Sequence, residues 1–144
     1  MRLLVQRSGN AKCVIDGKIV GKIDSGLVVL VGFTAGDDNE KIQYLVKKLL
    51  NLRIFPDASG VMNLSILEYG GEILSISQFT LYGDTTKGNR PSYIKALGGA
   101  EAVSLYDEFN RQLSDKIHVE TGVFGADMEI SLTNIGPTTI LLEK

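Results

Sequence analysis

Gly26-Leu27-Val28-Val29-Leu30-Val31-Gly32-Phe33 is a continuous apolar, β-branched run. With no polar residue to turn toward water, it reads as a strand buried on both faces. Toward the N-terminus, residues 12–15 and 18–23 flank Asp16-Gly17. That dipeptide suits a two-residue type I′ hairpin, because both turn positions need positive φ. Residues 2–7 supply one more short strand. In the other direction, Asp37 and Asp38 offer a helix N-cap and first-turn negative charge. Ile42, Leu45, Val46, Leu49 and Leu50 then recur at helical spacing, with Lys41, Lys47 and Lys48 between them. This pattern predicts an amphipathic helix.

Residues 52–55 are expected to form a strand ended by Pro56, with turns at residues 57–60 and at Gly70-Gly71. Residues 72–79 alternate partly and read as a central strand. Residues 89–99 are irregular or hold a short helix, which Pro91 would open and Gly98-Gly99 would end. Ala102, Leu105, Tyr106, Phe109, Leu113 and Ile117 mark a second long helix. Residues 128–133 and 138–142 read as two strands broken at Gly136-Pro137. The expected class is α+β: mostly antiparallel β-sheets with two longer helices, in a single compact domain over residues 1–144.

Gross composition agrees with one soluble domain. The 144 residues are 44% hydrophobic and 22% charged, without low-complexity tracts. A net charge of −2 argues against broad nucleic-acid binding, which needs many cations against phosphates, but leaves room for a small footprint on one RNA end. The lone Cys13 cannot form an internal disulfide, which fits a reducing compartment. Only Leu3-Leu4-Val5 precedes Gln6 and Arg7, too short a run for a signal sequence. No apolar stretch is long enough to span a membrane. The expected address is the cytoplasm.

The residue inventory disfavours several chemistries. His118 is the only histidine and follows the second helix, a connector position that suits a structural or merely exposed role. Cys13 sits in a hairpin strand and reads as a small hydrophobe. One His and one Cys cannot build a zinc site, and no carboxylate cluster suggests magnesium. Residues 83–90 (GDTTKGNR) look superficially like a phosphate loop. The Lys-Ser/Thr pair after the second glycine is missing, so a polar surface loop is the plainer reading. No metal or cofactor is expected. Backbone amides, hydroxyls and side-chain amides remain as catalytic tools.

Two constellations use those tools. Ser77-Gln78-Phe79-Thr80 stands at the end of the 72–79 strand, where hydroxyls, an amide and consecutive N–H groups can receive a carbonyl oxygen. Asn134-Ile135-Gly136-Pro137-Thr138-Thr139 must turn or bulge at its Gly-Pro, because proline lacks a ladder donor. On spacing alone, a strand end with locally bonded hydroxyls and a plain turn are the simpler readings.

Taken with further landmarks, the chain resembles the D-aminoacyl-tRNA deacylases, the D-tyrosyl-tRNA deacylase family, over nearly its full length. The landmarks are Gln6-Arg7, Arg53-Ile54-Phe55, the turn at residues 57–60, Met62-Asn63-Leu64, and Ser77-Gln78-Phe79-Thr80-Leu81. Then come Arg90-Pro91-Ser92, Thr121-Gly122, residues 124–128 (FGADM), and residues 134–139 (NIGPTT).

The resemblance implies a homodimer that hydrolyses the ester joining a D-amino acid to the 3′-terminal adenosine of tRNA, with no DNA or membrane partner. Glycyl-tRNA, including glycine mischarged on tRNA for alanine, is an implied second substrate. It implies that Ser77, Gln78, Phe79 and Thr80 form the ester-binding wall, with the amides of Phe79 and Thr80 receiving the carbonyl oxygen. It implies that Gly136 and Pro137 of the partner enter the pocket, joined by a cis bond and locked by Arg7, and exclude L side chains. Phe124, Gly125 and Met128 are implied on the substrate-binding side. Thr80 has no evident base, so the implied chemistry leans on the 2′-OH of the terminal ribose.

Two positions depart from the family pattern. Ile135 stands where Asp is common, and Gly125 where Ala is common. These departures suggest a changed loop anchor and a pocket wall short of a methyl. Two other readings compete: a non-catalytic binder of tRNA ends or nucleotides, and a small-molecule hydrolase or deaminase with an interface site.

Overall fold

The computed structural model describes residues 1–144. β1 (Arg2–Ile15) turns into β2 (Lys18–Ile23), and β3 (Gly26–Gly32) follows. Asp16 and Gly17 take φ of 48° and 75°, the positive values that a type I′ turn needs. β2 pairs with the second half of β1 and β3 with its first half, both antiparallel. β8 (Glu129–Glu143) runs antiparallel along the other edge of β1, from Val14↔Glu129 to Arg2↔Glu143. The β8 segment is one strand: the break expected at Gly136-Pro137 is a pair of register shifts within the β1–β8 ladder, around Ser8. A bulge absorbs the missing proline donor without ending the strand. Its start is Glu129, so Met128 belongs to the preceding loop.

α1 (Asn39–Leu50) is capped by Asp38, whose carboxylate accepts from the Lys41 amide at 3.0 Å. Strand pairing in the next segment is confined to β4 (Phe55–Pro56) against β5 (Met62–Leu64), so the strand ends at Pro56 as expected but residues 52–54 lie outside it. A short α2 (Ile66–Tyr69) was not expected, although its signal is present. Ser65 and Glu68 form a reciprocal capping box. β6 (Glu72–Ser77) then leads into a 3₁₀ turn at Phe79–Tyr82. Residues 89–98 hold no helix, and Gly98 caps the start of α3 (Gly99–Ser114) instead of closing a helix before it.

The sheet is mixed, where a mostly antiparallel one was expected. β6 runs parallel to β3, and β7 (Val119–Thr121) parallel to β6. Parallel neighbours need long crossovers, and the two long helices occupy those crossovers. The hairpin at Asp16-Gly17 makes its own two strands antiparallel but does not govern the pairings across the helical crossovers. The sheet also curls on itself. A Cβ on Gly21 of β2 would lie 2.7 Å from the carbonyl oxygen of Thr121 in β7, so this close approach requires glycine.

β3 is buried on both faces, as its run predicts. Leu27, Val29 and Val31 join the main core with Leu3, Val5, Ile42, Leu45, Leu49, Phe109 and Leu113. Val28 joins a smaller cluster with Ala11, Cys13, Ile23, Leu74 and Ile76. Each such large apolar side chain contributes roughly 1.5–3 kcal/mol by leaving water. Burial pushes the Cys13 thiol pKa upward, which suits a packing role.

Asp37, offered by the sequence as part of the helix cap, serves a different purpose. Its carboxylate is buried and accepts from the Met1 ammonium at 2.7 Å, the Lys41 ammonium at 3.2 Å and the Thr34 amide at 2.8 Å. Removing one partner of a buried pair leaves the other charge uncompensated. Asp37→Ala is expected to cost about 3 kcal/mol or more by urea denaturation. An unchanged midpoint would show that the pair contributes nothing.

Candidate active site

The carboxyl ends of the parallel neighbours β3 and β6 open onto a cavity of about 480 Å³. Its floor includes Val31, Phe33 and Ile76, and its other walls come from Leu97, the start of α3 and the loop before β8. Mostly apolar walls with a few polar groups at one end are the usual make-up of a small-ligand site. The cavity's polar lining residues are Asp127 in the loop before β8 and Ser77 and Gln78 at the end of β6.

The chain turns sharply there. The Gln78 amide donates to the Val31 carbonyl at 2.7 Å, the last bond between the β3 and β6 segments. Gln78 caps the 3₁₀ turn, but its side chain accepts no bond from the turn's backbone amides. Phe79 and Thr80 are the first two residues of that turn, so its own i→i+3 pattern uses neither amide. Thr80, the residue after Phe79, sits just outside the cavity lining. Its hydroxyl accepts from the Gln78 side-chain amide at 2.6 Å. No charged group acts as a base on Thr80, and no three His, Cys, Asp or Glu side chains are placed to hold a metal ion.

The remaining walls are held from behind. Phe124 packs against Tyr106 with ring centroids 5.9 Å apart, and the Tyr106 hydroxyl donates to the Ser75 carbonyl at 2.8 Å. Burial pushes the Tyr106 pKa upward, so it stays a neutral donor. Met128 lies across Gly122, where a Cβ would come within 2.5 Å of its sulfur. Tyr93 meets Phe79 edge-to-face at 4.9 Å and closes the side of the cavity nearest the 83–92 loop. Tyr93, Leu97 and Ala102 carried no sequence signal for this role, because the first two lie in an irregular segment and the third reads as helix core.

Arg7, Gly136 and Pro137 form a second cluster and do not line this cavity within the same chain. Arg7 donates through Nη1 to the Ile54 carbonyl at 2.6 Å and through Nε to the Ile135 carbonyl at 3.2 Å. The Gly136-Pro137 peptide is cis. Gly136 has φ +115°, and a Cβ there would lie 2.7 Å from Thr138 Oγ1 and 2.8 Å from Arg7 Nη2. Gly136 and Pro137 are exposed, on a strand paired along one edge only.

Residues 4–143 match the family described as D-Tyr-tRNA(Tyr) deacylase. The chain belongs to that family. It is 54% identical to a protein from Clostridium kluyveri named D-aminoacyl-tRNA deacylase, covering 100% of this chain and 97% of that one. A protein of the same name from Kosmotoga olearia is 51% identical, with 100% and 97% covered. Among solved structures, one described as c-Myc DNA Unwinding Element Binding Protein superposes with a TM-score of 0.95 at 36% identity, covering 100% and 99% of the two chains. A structure described as a probable eukaryotic D-amino acid tRNA deacylase shares the fold, with a TM-score of 0.82 at 20% identity and 98% and 97% covered.

Two expectations drawn from departures within the D-Tyr-tRNA(Tyr) deacylase pattern change with the geometry. Gly125 has φ +77° and nothing within 4 Å of a Cβ, so no methyl is missing from a packed wall. Its glycine suits the left-handed turn. Ile135 leaves the loop anchored, because Arg7 bonds its carbonyl rather than its side chain. Arg7→Lys keeps the charge but loses the two-pronged grip. It is expected to lower stability by about 1–3 kcal/mol and speed amide exchange across residues 134–138. Exchange at the native rate would mean that the loop holds itself.

Proposed function

We propose that this chain hydrolyses the ester between a D-amino acid and the 3′-terminal adenosine of tRNA. One observation carries the reading: a strand end with unused amides and a hydroxyl–amide pair borders an apolar cavity, in a chain of this family. The cavity receives the terminal adenosine, and the ester lies across Ser77 to Thr80. The amides of Phe79 and Thr80 accept the charge that grows on the carbonyl oxygen as water attacks the carbon. The bond to the ribose oxygen breaks, and that oxygen leaves with a proton. The 2′-OH of the same ribose helps to activate the water. Thr80 orients groups through Gln78 and is not acylated.

The protein works as a homodimer, with each pocket completed by the partner. Two features support this. β8 offers a long strand edge with no partner in its own chain, a feature that proteins usually cover. Ile135, at 45% exposure beside Gly136-Pro137, is an apolar group left in water. The partner's Gly-Pro loop then occupies the space an L side chain needs, so the L substrate is turned away while the D side chain points into the open. Glycine, having no side chain, is accepted.

Purified protein is expected to cleave D-tyrosyl-tRNA and to leave L-tyrosyl-tRNA intact. Gly136→Ala, whose methyl collides with Arg7 and Thr138, is expected to raise the L-to-D rate ratio by about tenfold or more. Cleavage of neither substrate by the native protein would favour a binding module for tRNA ends instead. Thr80→Val is expected to keep activity within about tenfold, whereas loss of a covalent nucleophile costs on the order of 10⁴ or more. An acyl-Thr80 adduct in the mass spectrum would refute the water mechanism.

A further inference from the structure

The 83–92 loop, which looks like a phosphate loop in sequence, has no part in the chemistry described above. Its base is built firmly. Asp84 and Ser92 exchange two backbone hydrogen bonds, each 2.9 Å. The Asp84 carboxylate accepts from the Thr86 hydroxyl at 2.7 Å, the Thr86 amide at 3.0 Å and the Lys95 ammonium at 3.0 Å. These bonds, those from Thr86 first, hold its pKa far below the usual carboxylate range. The loop is further fixed at Thr34, whose hydroxyl donates to the Lys95 carbonyl at 2.6 Å.

Position and charge set its use. Tyr93, one residue beyond the closing bridge, lines the cavity and rests on Phe79. The loop therefore rises from the cavity rim. Its tip, residues 85–91 (TTKGNRP), carries Lys87 and Arg90 and no acid. Both side chains are exposed, and neither forms an ion pair within the chain. The acid at the base of the loop, Asp84, is already matched by Lys95. The chain as a whole carries −2, so this is a local positive prong on a mildly acidic protein.

We propose that the 84–92 loop is a phosphate-contacting prong: Lys87 and Arg90 grip the RNA backbone just before the terminal adenosine. The proposal rests on the deacylase reading, since a nucleoside seated in the cavity must bring its 5′ phosphodiester chain out over the rim. Two free cations on a fixed base at that rim meet it without ordering a long loop first. This also reconciles a net-negative protein with a polyanionic substrate: a few contacts suffice because the site reads only one end.

The test compares two substrates with the same ester and terminal adenosine: D-tyrosyl-tRNA, which brings the RNA backbone, and 2′(3′)-O-D-tyrosyl-adenosine, which lacks it. In Lys87→Gln/Arg90→Gln, KM for the tRNA is expected to rise about tenfold or more with kcat little changed. The slope of log KM against log salt should fall by about one for each cation removed. Cleavage of the adenosine ester should match the native protein. Equal losses on both substrates would overturn the proposal by making the loop part of the pocket, and so would an unaltered KM and salt slope for tRNA. If the native protein cleaves neither substrate, the deacylase reading itself fails, and the proposal falls with it.

Discussion

β1 has to satisfy hydrogen bonds along both of its edges, and nearly everything else follows from how it does so. One edge is shared in sequence by β3 and β2, which pair with its first and second halves. The other edge takes β8 along almost the whole strand. The inward side chains of β1 therefore serve two clusters, Leu3 and Val5 in one and Ala11 and Cys13 in the other. Leu3, Val5, Ala11 and Cys13 all stand at odd positions, so β1 keeps its alternation from one cluster to the other. The register shifts around Ser8 fall between the two clusters, in the ladder with β8. That irregularity is the place where Arg7 and Gly136-Pro137 are presented.

The same constraint sets where the cavity lies. With β1 filled on both edges, the sheet grows beyond β3, in parallel through β6 and β7. Parallel growth brings the carboxyl ends of β3 and β6 to one side, with α3 arriving beside them. Ligand sites in sheets with parallel neighbours favour such ends, because the connecting loops diverge there and leave a crevice. Ser77 to Thr80 are at the cavity because β6 stops there, and β6 stops because the chain must turn back over the end of β3.

Much of this was legible in the residues. The run at residues 26–33 identified the strand buried on both faces, and the apolar spacing in α1 and α3 identified the helices that cover it. Asp16-Gly17 identified the hairpin. Pairing partners were less legible. Hydrophobic periodicity reports burial, and β6 is equally buried whether its neighbour runs parallel or antiparallel. Gly136-Pro137 misled in a similar way, since local chemistry says only that proline donates no hydrogen bond and not whether the strand resumes. The short α2 was missed although Ser65 and Glu68 spell a capping box, because a helix of four residues has no periodicity to notice. At the site, Ser77, Gln78 and Phe79, singled out at a strand end, and Phe124 and Met128, implied by resemblance, line one cavity, with Thr80 just outside it. Tyr93 and Leu97 could not be foreseen, since their place depends on how an irregular segment crosses the fold.

Arg7 grips carbonyl oxygens at positions 54 and 135, and a carbonyl oxygen is the same on every residue. The fastening therefore does not depend on which side chains sit at those two positions. Position 135 can carry an isoleucine, as it does, without releasing the loop. Constraint gathers instead on the single side chain that does the holding and on the glycine pressed against it. The evolutionary burden of the device rests on two residues, while their neighbours remain free to diversify.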